Sequence, residues 1–170
     1  MLPRVKPCSI TAMNPIAELN RRLDNLLRLG TIAEVDHPAT RVRVKSGDIL
    51  TDWLPWIERR AGTTLDWDPP TIGEQVLILA PTGELSTALV LTGINSDFHP
   101  SPSDKPYICL RRYPDGAEIE YDHKNHHLRA TIPGSVEIDA ATEIDILSGT
   151  VITVKAAEHI QLIAPRIDKN

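Results

Sequence analysis

The chain is poor in the residues that most often carry recognition or chemistry. Seven of its 170 residues are aromatic: three Trp, three Tyr and one Phe. That is a thin supply for a protein that reads bases or sugars by stacking. Cys8 and Cys109 are the only cysteines, far apart and in no CxxC or zinc-spaced cluster. A disulfide framework and a structural zinc site are therefore excluded. Both are expected to be free thiols, buried or idle, in a reducing compartment. Basic residues are outnumbered, 18 Lys and Arg against 23 Asp and Glu, for a formal net charge of −5. Phosphate-backbone binding needs a basic face, which this balance does not supply. No apolar run reaches the roughly 20 residues of a membrane-crossing helix. The opening MLPRVKPCSI lacks the apolar segment of a secretory signal, so the expectation is synthesis in the cytosol without export by that route. Fourteen prolines spread along the chain argue against a helical bundle.

What is present divides by period. Residues 1–13 read as a loose arm. In NPIAELNRRLDNLLRLG, Asn14 caps a helix, Pro15 suits its first position and Gly30 suits its stop. Ile16, Leu19, Leu23, Leu26 and Leu27 fall on one face, fit for core packing or for self-association. From residue 31 the period becomes two. TIAEVD, TRVRVKSG, ILTDWLPWI, EQVLILAP and STALVLTGI read as five short strands, which suits an OB-like barrel. FHPSPSDKP is a Pro- and Ser-rich link. GAEIEYD and HLRATI are two further strands around DHKNHH. The expected organisation is an N-terminal arm and amphipathic helix (1–30), an OB-fold domain (31–97), a linker (98–110) and a repetitive β segment (111–170).

That last segment repeats every eight residues: SVEIDAAT, EIDILSGT, VITVKAAE, HIQLIAPR. Second and fourth positions are aliphatic: Val136, Ile138, Ile144, Ile146, Ile152, Val154, Ile160 and Leu162. Sixth positions are small: Ala140, Ser148, Ala156 and Ala164. Glu137, Asp139, Asp145, Thr153, Lys155 and Gln161 lie between them and belong to the wet face, while Leu147 and Ile163 break that rule. The same order in every octad suits a translational stack in which like sits on like, not an antiparallel meander. A left-handed β-helix of the hexapeptide type repeats every six residues and does not fit. Four octads give one chain little more than one turn of a three-sided prism, which buries no continuous core. Three chains supply twelve sides, about four turns. The pattern favours an intertwined homotrimer with those eight aliphatics as the trimer core. Their burial, at about 1.5–3 kcal/mol each, comes to roughly 36–72 kcal/mol gross per trimer, most of it offset by conformational entropy.

The middle of the chain adds a resemblance. TDWLPWIERRAG (51–62), then Trp67, Pro69 and Pro70, Gly73–Leu79, Pro81, Gly83–Leu85 and Ala88–Asn95 resemble phage baseplate assembly protein V, the central spike of contractile-tailed phages and related tailocins. YPDGAEIEYDHKNHHL also looks like that family, where its β-helix begins. The likeness covers roughly residues 14–170. It implies an OB-fold followed by a triple-stranded β-helix, assembled in the bacterial cytoplasm into the tail baseplate of a virion or tailocin. It further implies a hub protein at the end of the tail tube as partner, and transient contact with the target's outer membrane when the sheath contracts and the spike pierces it. Family members often end in an H-x-H tip that binds iron; this sequence has no such pair through RIDKN. A tip iron therefore requires an H-x-H beyond residue 170, and within the chain no cofactor or metal is expected.

Other candidates weaken on inspection. His123, His126 and His127 read as a solvated turn, and His99 and His159 are isolated, His159 at a corner of the octads. Glu118, Glu120 and Asp122 alternate along one strand and are expected to project into water, where nothing raises a carboxyl pKa. No GxSxG, HExxH or phosphate-loop pattern occurs, so no enzyme is expected. Trp53, Trp56 and Trp67 gather in the barrel and suit packing; the alternative is an OB-fold single-stranded nucleic-acid-binding protein with a β tail for oligomerisation.

Overall fold

A computed structural model of the chain describes residues 14–163. The arm at 1–13, Cys8 and Ala164 lie outside them. Helix α1 runs Pro15–Leu26, with the Asn14 side chain accepting from the Ile16 amide at 3.1 Å. Its end differs from the sequence expectation. Leu27 is already extended, and β1 (Leu27–Asp36) takes over with no connecting loop. Gly30 is therefore a strand residue, not a helix stop. A Cβ there would clash with Val44 Cγ1 and stand 2.9 Å from the Lys45 carbonyl oxygen, so close strand packing is what demands glycine.

The barrel follows in order. Beyond β1 come β2 (Arg41–Ser46), β3 (Ile49–Leu50), β4 (Leu54–Pro55), β5 (Gln75–Leu79) and β6 (Leu89–Ile94). The stretch read as one strand, ILTDWLPWI, is broken into β3 and β4, both pairing with β2. Between them lies buried Thr51. Its hydroxyl accepts from the Val44 amide and its own amide donates to the Val44 carbonyl, both at 3.0 Å. The antiparallel order is β3-β2-β1-β5-β6. A parallel bridge from Trp56 to Val90, with the Ile57 amide donating to the Val90 carbonyl at 2.9 Å, closes the sheet on itself. Ile32, Val42, Val44, Leu54, Val76, Ile78 and Val90 alternate inward and are fully buried. Mainly β structure, one N-terminal helix and an OB-type barrel are thus what the chain forms.

A second sheet follows: β7 (Ile108–Arg112), β8 (Glu118–Asp122) and β9 (His127–Thr131), paired as two antiparallel hairpins. The sequence reading missed β7, whose residues begin inside the expected linker. An ion pair of 2.7 Å, Arg111 to Asp68, joins this sheet to the barrel's long loop.

From Ile132 to Ile163 the chain pairs with no other described residue and forms no strand. It is bent at 133–134, 141–142, 149–150 and 157–158. The interval is eight residues each time, and the bends fall on the seventh and eighth positions of the octads. His159 follows a bend instead of occupying one.

Candidate assembly surface

The octads carry the repeat in their geometry as well as their letters. Ile144, Ile152 and Ile160, each at a second position, are 52%, 52% and 51% exposed. Ile138, Ile146, Val154 and Leu162, at fourth positions, are 67–74% exposed. Val136, the second position of the first octad, is 69% exposed; from Ile144 on, near-equal values at an eight-residue interval mean that successive sides are built alike. The corners keep the sides in step: Ser148 Oγ accepts from the Thr150 amide across one bend. In one copy all eight expected core residues, Val136 and those seven, stay on the surface. A ladder of that size uncovered by the described residues of its own chain is a candidate interaction surface.

Just before it, β7–β9 is turned the other way from expectation. Glu118, Glu120 and Asp122 do not simply project into water. Their face is half covered. Arg112 pairs with Glu118, and Arg129 reaches Glu120 at 3.2 Å across the strands. Asp122 accepts from the Asn125 amide at 3.0 Å and the Lys124 amide at 2.9 Å, and that turn, with Asn125 foremost, holds its carboxyl below the usual range. The opposite face presents Ile119, Tyr121, Leu128 and the exposed Cys109 to solvent. Cross-strand ion pairing explains which side is covered; the apolar side leads straight into the octads.

The barrel has a third exposed apolar area that the sequence reading did not single out. Register places Leu27 opposite Leu79 and Leu29 opposite Leu77. Leu79 in turn lies opposite Leu89, and Leu77 opposite Leu91. All six alternate with core residues and so share the outer face of β1-β5-β6. The signal was present: VLIL and LVL are unbroken apolar runs, the mark of strands covered on both faces.

The tryptophans are divided by the fold. Trp56 is in the core, its indole N–H donating to Glu58 at 2.8 Å. Trp67 stands 5.8 Å from it, tilted, on the wall of a cleft of about 610 Å³. Glu58, Asp66, Asp68 and Glu74 line that cleft against Arg59 and Arg111. Trp53 lies under Arg43, 5.9 Å away, on a different part of the surface. The three do not form a stacking platform, and the cleft's acidic majority repels a phosphate backbone. Among the described residues no three His, Cys, Asp or Glu side chains gather as metal ligands. His123 rests against Tyr107, ring centroids 6.4 Å apart, in the exposed turn it was assigned to.

Comparison with known proteins decides between these readings. Residues 28–94 match the family described as the type VI secretion system/phage-baseplate injector OB domain. Over 154 residues the chain is 44% identical to the spike protein of Escherichia phage P2, covering 89% of this chain and 72% of that one. The chain belongs to the phage baseplate spike family. As a baseplate spike protein it is a structural component of a phage tail, and its place is with the other proteins of the baseplate. The barrel seen here is the injector OB domain. The nucleic-acid alternative is not favoured by this relationship, nor by the cleft. The family's structural role also accounts for a surface rich in apolar faces.

Proposed function

We propose that three copies of this spike protein wind their octads into a triple-stranded β-helix that pierces the target cell's outer membrane when the tail sheath contracts. The observation that carries the proposal is the eight-residue repetition of bends and exposures in a segment that pairs with no other described residue of its own chain. In the trimer each copy gives one side per layer. Val136, Ile138, Ile144, Ile146, Ile152, Val154, Ile160 and Leu162 turn to the axis, and the strand edges along the shaft are all paired. The proposed domain division is the arm and helix up to β1, an OB domain from β1 to residue 97, a linker from residue 98 to β7, and the shaft with its entry sheet from β7 onward. A hub at the end of the tail tube holds the OB end, and the particle is put together in the bacterial cytoplasm. The spike works without an active site: the sheath supplies the energy, and the shaft supplies stiffness at a small cross-section. No iron is assigned to residues 1–170, because no His-x-His pair lies among them.

The test uses whole particles. With the wild-type spike, triggered contraction on target cells should admit a membrane-impermeant chromogenic substrate to a periplasmic enzyme. Particles carrying Ile146→Asp should lack the spike or fail to admit it. Equal permeabilisation by particles shown to lack the spike would remove the piercing role.

A further inference from the structure

We infer that α1 of each copy packs its apolar stripe onto the six-leucine face of the next copy, sealing the OB domains of the trimer into a ring. This deepens the trimer reading and rests on it.

The helix is seated with its polar side inward. Asn25 is buried and donates to the Gly83 carbonyl at 3.2 Å. Arg21 bridges Glu18 at 2.8 Å and Glu84 at 2.7 Å. Gly83, at φ +72°, has the Arg22 backbone where a Cβ would stand, 2.6 Å from it, so the helix is drawn against the β5–β6 connection. That seating leaves Ile16, Leu19 and Leu23 54–67% exposed. An amphipathic helix ordinarily buries its apolar stripe; this one turns Asn25 and Glu18 toward the barrel and leaves its leucines exposed. It cannot cover its own β1-β5-β6 face either, because the helix passes into β1 without a loop and is pinned at Gly83.

Each copy therefore carries two different uncovered apolar surfaces in one domain. A closed ring of three is made by heterologous contacts, in which one surface meets a different surface on the neighbour and the third copy closes on the first. A single self-complementary patch would give a two-fold pair instead. Stripe and face are a pair of the kind a threefold ring needs. Their sizes agree. From Ile16 to Leu23 the stripe rises about 10 Å along the helix. The face is three strands wide, about 10 Å between its outer strands. Neither surface places a charged side chain among the contacting positions, so no unpaired ion is buried by the contact.

The test is cross-linking of the full chain, in a Cys8→Ser, Cys109→Ser background. Leu23→Cys combined with Leu91→Cys, treated with a short bis-maleimide, should give covalent dimers and trimers on a denaturing gel. Each single variant should give none. A second pair, Leu19→Cys with Leu89→Cys, should behave alike. Products from Leu23→Cys alone would place the three helices together on the axis and overturn the ring. A sedimenting trimer with no product from either pair would overturn it as well, while leaving the octad trimer standing. A monomer in the same sedimentation run would defeat the trimer reading and this inference with it. Leu29→Glu should lower the melting temperature of the free trimer by several degrees; unchanged melting would show that a foreign protein, not a second copy, covers the face.

Discussion

Ile146 and Leu147 are neighbours of nearly equal chemistry on opposite sides of one extended segment. In the single copy they are 70% and 90% exposed. In the proposed shaft Ile146 faces the axis and Leu147 faces solvent, because successive strand residues point to opposite sides. Replacing each by Asp separates the two assignments. At position 146 three aliphatic side chains lose their burial, about 1.5–3 kcal/mol each, or roughly 5–9 kcal/mol per trimer. Three carboxyls must also enter one dry layer. They do so protonated, and holding a group with an ordinary pKa near 4 protonated at pH 7 costs about 4 kcal/mol, or roughly 12 kcal/mol for three. A loss of roughly 17–21 kcal/mol exceeds the roughly 5–15 kcal/mol by which a folded protein is ordinarily stable. Ile146→Asp is expected to sediment as a monomer at pH 7. At position 147 the charge meets water and the trimer should be unaffected. Burial in the trimer would raise the pKa of the carboxyl introduced at position 146. Assembly of Ile146→Asp should therefore be regained as pH falls toward about 4 and lost again as it rises. Velocity sedimentation of both variants across that range is the assay. Equal behaviour of the two at pH 7, or a Leu147→Asp monomer, would show that the inward face has been misassigned.

Gly30→Ala should destabilise the barrel by about 1–3 kcal/mol, read as a lowered melting midpoint, because the added methyl meets Val44 and the Lys45 carbonyl. Hydrogen bonds from Arg21 and then Arg22 hold the Glu18 carboxyl down at about 2, so its NMR titration should lie well below those of unpaired glutamates. Because the folded-state pKa is lowered, what this pairing contributes to seating α1 is fully present above the ordinary carboxyl range and is lost as pH falls toward about 2. A Glu18 midpoint in the ordinary glutamate range would show the cluster is not formed in solution. Trp53→Ala with Trp67→Ala should leave affinity for single-stranded oligonucleotides at the background of the unaltered protein in low salt; a measurable, salt-dependent affinity that the double variant loses would restore the nucleic-acid reading.

The sequence announced periodicity far better than partnership. Asn14 and Pro15 marked the start of α1, and the alternating runs marked most of the barrel, since each signal is local. The end of α1 was missed because Gly30 looks the same whether it stops a helix or admits Val44 beside a strand; only tertiary packing distinguishes the two. ICLRR escaped as a strand because its Cys and Arg residues break the expected alternation and it follows a Pro- and Ser-rich stretch. The sequence places the carboxylates of β8 in open water because their arginines, Arg112 six residues from Glu118 and Arg129 nine from Glu120, are invisible without the hairpin register. The octads were legible because repetition itself is the message: a segment that repeats every eight residues, and whose bends repeat with it, leaves its aliphatic ladder uncovered in one chain. The leucine stripe was recognised with two uses open, and the polar seating at Gly83 is what removes core packing within the copy as one of them.

The most direct measurement is the mass of the full-length protein in solution by sedimentation equilibrium at micromolar concentration. The expected result is a species of three chains, each of 18.8 kDa, with no monomer detectable on dilution through that range. A well-behaved monomer, soluble with its aliphatic ladder uncovered, would contradict the intertwined shaft.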